Sequence, residues 1–375
     1  MKWSLNSWQK LSAKHIPQYN DNIESIKNKL SSLDGFINYE EIKNFISILS
    51  KVSTSNHFIV QMGECAELFT KSNEQDIISR LNLIEDFCSL LPKKITPVKI
   101  GRIAGQYSKP RSEDFELING VKTPVYKGDM FHDFENRNFD SNRMIEAYNY
   151  SKKSYDIIQK QNKDIFTSHE ALNLHYEECV TKLAEDGKYY NLSAHMLWLG
   201  EKTRFLESAH VEYLRGIANP VGIKISNQIA VDELLEIIKL INPENTLGKI
   251  ILINRMGSKN TSKDFDNITI AIKKSGLSII WTCDPMHGNT FKLENNYKTR
   301  KLEDIISEIT DFANILKKND IKFGGIHLEN SPDDIYECID NNCNTVGEKY
   351  ETLCDPRLNR NQSLEIAKLI TKLII

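Results

Sequence analysis

Short apolar runs alternate with helical patterns along much of this chain, and that alternation restricts the fold more than any other feature. Eight runs read as strands: HFIVQ (57–61), PVKIG (97–101), DIFTS (164–168), KYYNLSAHMLW (188–198), VGIKI (221–225), KIILIN (249–254), LSIIWTC (277–283) and FGGIHLE (323–329). Between the later ones lie the amphipathic patterns VDELLEIIKLI (231–241), DFDNITIAIKKSG (264–276) and LEDIISEITDFANILKK (302–318). Strand then helix, repeated about every thirty residues, is the signature of parallel βα units. Strands as continuously apolar as KIILIN need cover on both faces, so eight of them suggest a closed (β/α)8 barrel, with an open doubly wound sheet as the alternative.

Ile23, Ile26, Leu30 and Leu33 fall at helical spacing, which predicts an N-terminal helical extension over residues 1–50 packed on the outside of the barrel. No repeat or Pro/Gly/Ser linker divides the chain, so 1–375 reads as a single domain, with 112–150 a long polar connection between the second and third strands. The last helix, QSLEIAKLITKLII, ends on bare apolar residues through Ile375, which implies docking onto the barrel or onto a partner subunit. A net charge of -3 gives no basic excess of the kind nucleic-acid binding needs. No apolar run reaches membrane-spanning length, and MKWSLNSWQK lacks a signal-peptide apolar region, so a cytoplasmic protein is expected. Seven cysteines, an odd number without a secreted-scaffold spacing, read as reduced thiols.

Enzymes on this barrel build their sites from the C-terminal ends of the strands. Charged and metal-binding types gather there: Cys65 and Glu67 after the first, Arg102, Lys109 and Arg111 after the second, His169 and Glu170 at the third. Glu201 and Lys202 follow the fourth, Lys224 ends the fifth, Arg255 follows the sixth, Asp284 and His287 follow the seventh, and Glu329 ends the eighth. A lone cation at a strand end is usually a solvated or salt-bridged residue. Five or six converging in one mouth of a net acidic protein are costly unless anions occupy the site, and two phosphates and a carboxylate would satisfy them. Cys65, His287, Glu329 and Asp355 offer a thiolate, an imidazole and two carboxylates, a set suited to Mn²⁺, Co²⁺, Fe²⁺ or Zn²⁺, although their spacing along the chain gives no support. GRIAG (101–105) is neither GxGxxG nor a Walker pattern, and HEALNLHYEE (169–178) is not HExxH.

The segments QMGECAE (61–67), PVKIGRIAGQYSKPRS (97–112), TSHEALNLHYE (167–177), SAHMLWLGEKTR (193–204), GIANPVGIKI (216–225), RMG (255–257), WTCDPMHGNT (281–290), GGIHLE (324–329) and YETLCDPRLNRNQSLE (350–365) resemble the class II 3-deoxy-D-arabino-heptulosonate 7-phosphate (DAHP) synthases, in order and over nearly the whole chain. The resemblance implies a (β/α)8 barrel catalysing a metal-dependent condensation of phosphoenolpyruvate with erythrose 4-phosphate, at the entry to the shikimate pathway. It implies that Cys65, His287, Glu329 and Asp355 bind the metal, Mn²⁺ being the first expectation. Arg102 and Lys109 would meet the phosphoenolpyruvate carboxylate, Lys224 and Arg255 its phosphate, with Glu201 and Lys202 beside it, and Arg111 and Ser112 would hold the aldose phosphate. Lys109, Glu170 and Glu201 are the expected catalytic groups. A homo-oligomer and a chorismate mutase partner are further expectations.

Several positions leave the family pattern. Met62 stands where Gly is usual, Glu64 where Asp is, Lys202 where Arg is, Ile225-Ser226-Asn227 where Val-Gly-Pro is, and ECIDNN (337–342) where a glycine-bearing ECxGG is. These changes touch the substrate loops and leave two alternatives: a diverged synthase using an amino or imino aldose phosphate, and a catalytically silent regulatory homologue. Cys354 directly precedes Asp355 and is expected near Cys65, where a disulfide would consume a metal ligand.

Overall fold

The eight apolar runs become eight parallel strands that close on themselves. The computed structural model describes residues 2–19, 23–118, 120–341, 345–346 and 348–374, so Cys343, Asn342 of the 337–342 run and Ile375 lie outside the described residues. The strands are β1 (His57–Gly63), β2 (Thr96–Arg102), β3 (Ile165–Glu170), β4 (Met196–Leu199), β5 (Val221–Ile225), β6 (Ile250–Asn254), β7 (Ile279–Cys283) and β8 (Gly325–Glu329). β1 pairs with both β2 and β8, so the sheet is a closed barrel and the open alternative is set aside. The helices are α1 (Ile23–Ser31), α2 (Tyr39–Ser50), α3 (Glu74–Ser89), α4 (Arg143–Lys160), α5 (Leu174–Val180), α6 (Ala209–Leu214), α7 (Val231–Ile241), α8 (Thr261–Ser275), α9 (Leu302–Lys318) and α10 (Arg360–Leu373).

The expectation of a strand over 188–198 is corrected. Asn191 Oδ1 accepts from both the backbone and the hydroxyl of Ser193 and turns the chain. Tyr189–Asn191 therefore pairs with Thr181–Leu183 in a hairpin outside the barrel, and Met196–Leu199 alone joins the wall. The polar connection 112–150 likewise contains structure: Phe115–Ile118 and Val121–Pro124 form a hairpin, and α4 begins at Arg143. α7 and α9 match their patterns, burying Leu234, Ile237, Ile238 and Ile241 in one and Leu302, Ile305, Ile309, Phe312 and Leu316 in the other. α8 ends at Gly276, whose φ of 69° is a left-handed cap that a side chain would strain.

Alternation along the strands sorts the barrel interior into layers. Ile59, Val98, Ile100, Met196, Ile251, Ile253 and Ile280 pack together at the N-terminal end, where Phe45 and Leu49 of α2 join them and Phe45 stacks on Phe166 at 4.2 Å. Further along β1, β3, β7 and β8 lie the polar positions Gln61, Ser168, Thr282 and His327, and charged Arg102, Glu170, Asp284 and Glu329 stand at or just past the C-terminal ends of β2, β3, β7 and β8. The apolar floor, shut by α2, leaves the charged end as the mouth. α1 packs outside the wall through Ile23, Ile26 and Leu30, joined by Leu33 just past its end, against Met144, Tyr148 and Tyr176. α10 docks on α3 and α9 through Ile366, Ala367 and Ile370. Among the described residues no helix is long and apolar enough to cross a membrane.

Candidate active site

Four side chains from three strand ends and one loop converge at the mouth. Cys65 follows β1, Glu329 ends β8, and Asp355 lies in the loop before α10; one donor atom of each falls within 4.8 Å of the others. His287 follows β7, and its Nε2 is 3.0 Å from Glu329 Oε1. Asp284 Oδ2 accepts from His287 Nδ1 at 2.7 Å, which turns Nε2 toward the cluster, the usual way a carboxylate aims a ligating imidazole. Burial lowers the pKa of His287 against the opposing pull of Asp284 and Glu329.

The Lys109 ammonium tests whether this set fits a cation. It lies 2.5 Å from Cys65 Sγ, 2.6 Å from Asp355 Oδ2, 2.9 Å from Glu329 Oε1 and 3.4 Å from His287 Nε2. A positive charge is thus surrounded by all four groups, and a thiolate, an imidazole and two carboxylates are donors that a borderline divalent ion accepts. Burial works against ionised carboxylates here, yet His287, Lys109 and Arg300 hold Glu329 well below the usual range, and Lys109 and Lys298 do the same for Asp355. Burial pushes the Cys65 thiol up, whereas its hydrogen bond to Cys65 brings Cys354 down to about 7, so the two thiols are in contact as their places in the chain imply. All six described cysteines are free.

Beside the cluster opens a cavity of ≈ 240 Å³ lined by Lys109, Arg111, Ser112, Glu170, Glu201, Lys202, Lys224, Arg255, His287, Lys298 and Asp355, among others. Six cations face three carboxylates there, the surplus expected of a site for multiply charged anions. Lys224 is buried and held by Asp284 at 3.1 Å. Glu170 has its pKa raised by burial against the pull of Lys224 and Lys109, and its Oε1 has no hydrogen-bond partner. A Cβ at Gly200 would stand 1.9 Å from that oxygen, so glycine is required where Glu170 lies against the backbone. Lys202 Nζ donates to Ser112 Oγ at 2.6 Å across the mouth, and Arg111 donates to the Tyr126 carbonyl at 2.6 Å. Ser226 donates to Glu201 Oε1 at 2.7 Å.

Arg102 does not line this cavity. It lies below the cavity and above the apolar floor, with its Nε on the Glu64 carbonyl at 2.9 Å and its Nη2 on Glu329 at 3.1 Å and the Cys65 carbonyl at 3.2 Å. Three groups escaped the sequence reading. Arg300, fully buried, holds Glu329 Oε2 at 2.9 Å, and Lys298 holds Asp355 Oδ1 at 2.8 Å. Glu67, noted only for its place after β1, accepts from the backbone of Ala104, Gly105 and Gln106, shaping the loop that carries Lys109. The cation run KTRK at 298–301 was the one signal for the first two.

The model of the Class-II DAHP synthetase family matches residues 3–163 and 154–371. The chain belongs to this family. It is 33% identical to the phospho-2-dehydro-3-deoxyheptonate aldolase of Neurospora crassa, covering 98% of this chain and 93% of the relative, and 30% identical to that of Streptomyces coelicolor, covering 98% and 96%. A solved phospho-2-dehydro-3-deoxyheptonate aldolase from Francisella tularensis superposes with a TM-score of 0.59 at 14% identity, over 96% of this chain and 97% of that one, and so speaks for the fold alone. Membership of the class II family makes the condensation of phosphoenolpyruvate with erythrose 4-phosphate the activity of this chain.

Proposed function

We propose that this metal-dependent DAHP synthase divides its cavity into two anion subsites that meet at the four-ligand cluster. Lys224 and Arg255 hold the phosphate of phosphoenolpyruvate, Lys109 within the cavity and Arg102 from below it meet its carboxylate, and Glu201 sets the outer edge. Arg111 and Ser112 hold the phosphate of the aldose, and Lys202, expected from the resemblance beside phosphoenolpyruvate, is reassigned to the aldose phosphate because its ammonium donates to Ser112 across the mouth. Guanidinium groups suit bidentate contact with carboxylate and phosphate, while the ammonium groups act as point charges. Cys65, His287, Glu329 and Asp355 hold a divalent metal, Mn²⁺ first and Co²⁺, Fe²⁺ or Zn²⁺ next, which when bound supplies Lewis-acid polarisation of the aldehyde carbonyl.

The residues then organise a condensation in which C3 of phosphoenolpyruvate forms a bond to the aldehyde carbon. Water adds at C2, and the resulting hemiketal phosphate collapses to release inorganic phosphate. Lys224 and Arg255 stabilise the charge that gathers on the departing phosphate. Lys109 and Glu170 move the protons: an ammonium beside the ligand cluster and a carboxyl of raised pKa with one bare oxygen are suited to it.

The observation that carries this reading is the meeting of six cations and three carboxylates in one cavity beside the ligand cluster. Phosphate release should require both phosphoenolpyruvate and erythrose 4-phosphate, and a panel of aldose phosphates should rank the four-carbon sugar first. A higher kcat/KM for an amino or imino aldose phosphate would favour the diverged synthase, which Lys202 in the cavity and Ser226 behind Glu201 support. No release with any aldose would leave the silent homologue. We also read the protein as a cytoplasmic homo-oligomer with a chorismate mutase as its second partner; Phe115, Leu117 and Val121, exposed on the 115–124 hairpin, support a surface that association covers. Oxidation joining Cys65 to Cys354 would remove a metal ligand.

A further inference from the structure

Between the apolar floor and the charged mouth the barrel holds a polar chain that the reaction described above does not use. Gln61, Ser168 and His327 belong to β1, β3 and β8, and none is more than 1% exposed. The direction of their hydrogen bonds has one solution. A guanidinium has donors and no acceptor, so Arg102 Nη1 donates to His327 Nε2 at 2.5 Å. Nε2 of the neutral ring is then bare and Nδ1 carries the proton, which it donates to Gln61 Oε1 at 2.7 Å. That orients the amide: Gln61 Nε2 donates to Ser168 Oγ at 2.9 Å, and Ser168 donates in turn to the Gly101 carbonyl at 3.0 Å. Each link forces the next, from a backbone carbonyl up to the guanidinium. Trp198 closes the remaining side, edge-on to His327 at 5.4 Å and under Arg102 at 5.0 Å.

We propose that His327 is a positioning residue for the phosphoenolpyruvate carboxylate, a neutral acceptor with a fixed tautomer that sets the plane of the Arg102 guanidinium from below. The inference rests on the assignment of Arg102 to that carboxylate. The other Arg102 anchors, the carbonyls of Glu64 and Cys65 and the Glu329 carboxylate, engage Nε and Nη2 and leave Nη1 to His327. Without an acceptor beneath it, Nη1 has no fixed partner, and the guanidinium can tilt away from the geometry that a planar carboxylate requires. Gln61 and Ser168 matter because they keep the imidazole proton on Nδ1; a ring protonated on Nε2 would turn a donor against a donor.

Two measurements test this. Nitrogen-15 spectra of histidine-labelled, metal-free protein should show His327, assigned by its loss in His327→Gln, as a neutral ring protonated on Nδ1. Calorimetry with phosphoenolpyruvate on the same metal-free protein should show about tenfold weaker binding in His327→Leu, and His327→Gln, which offers an amide oxygen near the Nε2 position, should recover to within about threefold. In the metal-loaded enzyme the loss should appear in KM for phosphoenolpyruvate, with kcat and KM for the aldose within about twofold. Should His327→Leu fail to fold, Gln61→Met, which removes only the acceptor for Nδ1, should weaken phosphoenolpyruvate by about threefold. A ring protonated on Nε2, or unchanged affinity in whichever of these two variants folds while Arg102→Met weakens it, would overturn the proposal. Unchanged affinity in Arg102→Met itself would instead count against the carboxylate assignment.

Discussion

The two halves of the cavity are built by different means. On the side assigned to phosphoenolpyruvate, Arg102, Lys224 and Glu170 come from strands and are tied down, Arg102 by four partners, Lys224 by Asp284 and Glu170 against Gly200, while Lys109 and Glu201 reach in from the loops beside them. On the aldose side Arg111, Ser112 and Lys202 sit on loops, half-buried or exposed, and Lys202 reaches Ser112 through one hydrogen bond. Strand positions are fixed by ladder pairing and cannot shift without moving the wall; loop positions can change residue type at small cost. Of the departures from the family pattern, Lys202 falls on the looser half and Ser226, which holds Glu201, at the border between the two, while Glu64, whose carbonyl anchors Arg102, falls on the tied-down side. Loop placement therefore makes the half assigned to the aldose the easier one to retune by substitution.

The largest effect should come from the cluster that joins the halves, because its loss removes the chemistry of both. Chelation should abolish turnover and Mn²⁺ or Co²⁺ should restore it, while Cys65→Ser should lose at least about a hundredfold in activity, no less than the loss of a supporting partner of a metal ligand costs. Full turnover in excess chelator, with metal absent by elemental analysis, would remove the cluster from the mechanism and leave the two subsites unconnected.

Much of this arrangement was legible beforehand, for a physical reason. A barrel covered on both faces demands continuously apolar strands, and its sites must lie where those strands stop, so Lys224 and Glu329 announce themselves as charges ending apolar runs. The misreadings share a cause. The 188–198 run is apolar enough for one strand, but the Asn191–Ser193 turn that breaks it is a side-chain hydrogen bond that no periodicity reveals. Lys298 and Arg300 follow no long strand and reach the site from the short paired segment Lys298–Thr299 and the residue after it. His327 was quoted only as part of GGIHLE; a lone polar residue inside a buried strand was the signal, and its meaning depended on the guanidinium above it.

The second prediction sharpens the contrast between the halves. Burial, with Arg111 and Arg255 nearby, brings Lys202 down to about 8, so its cation is present below that pH and lost above it. KM for erythrose 4-phosphate should rise between about pH 7 and pH 9 while KM for phosphoenolpyruvate moves less. Lys202→Arg keeps its charge throughout and should be better than the native enzyme for the aldose at pH 9 by about tenfold in kcat/KM, or about 1.4 kcal/mol. Titration of the sugar phosphate itself is shared by both proteins and cancels in the comparison. Identical pH curves for the two would place Lys202 outside aldose binding.

The smallest effect belongs to Ser226, which stands at the border of the two halves. Its hydroxyl and Arg204 both hold Glu201 Oε1, at 2.7 and 2.5 Å, while Glu201 Oε2 has no hydrogen bond and lies 3.7 Å from Arg255. Removing the hydroxyl loosens the carboxylate on the side away from Arg255 and lets it swing toward that guanidinium, where it competes with the phosphate of phosphoenolpyruvate. One hydrogen bond of about 0.5–1.5 kcal/mol is at stake, and only part of it reaches the substrate. Ser226→Ala should therefore raise KM for phosphoenolpyruvate by about threefold, with kcat unchanged and KM for the aldose unmoved. Ser226→Gly should do the same and also lower the unfolding midpoint slightly, since glycine adds backbone freedom to the unfolded chain. If Ser226→Ala shifts the aldose KM instead, Glu201 belongs to the looser half, and the border between the subsites runs on the other side of Arg255.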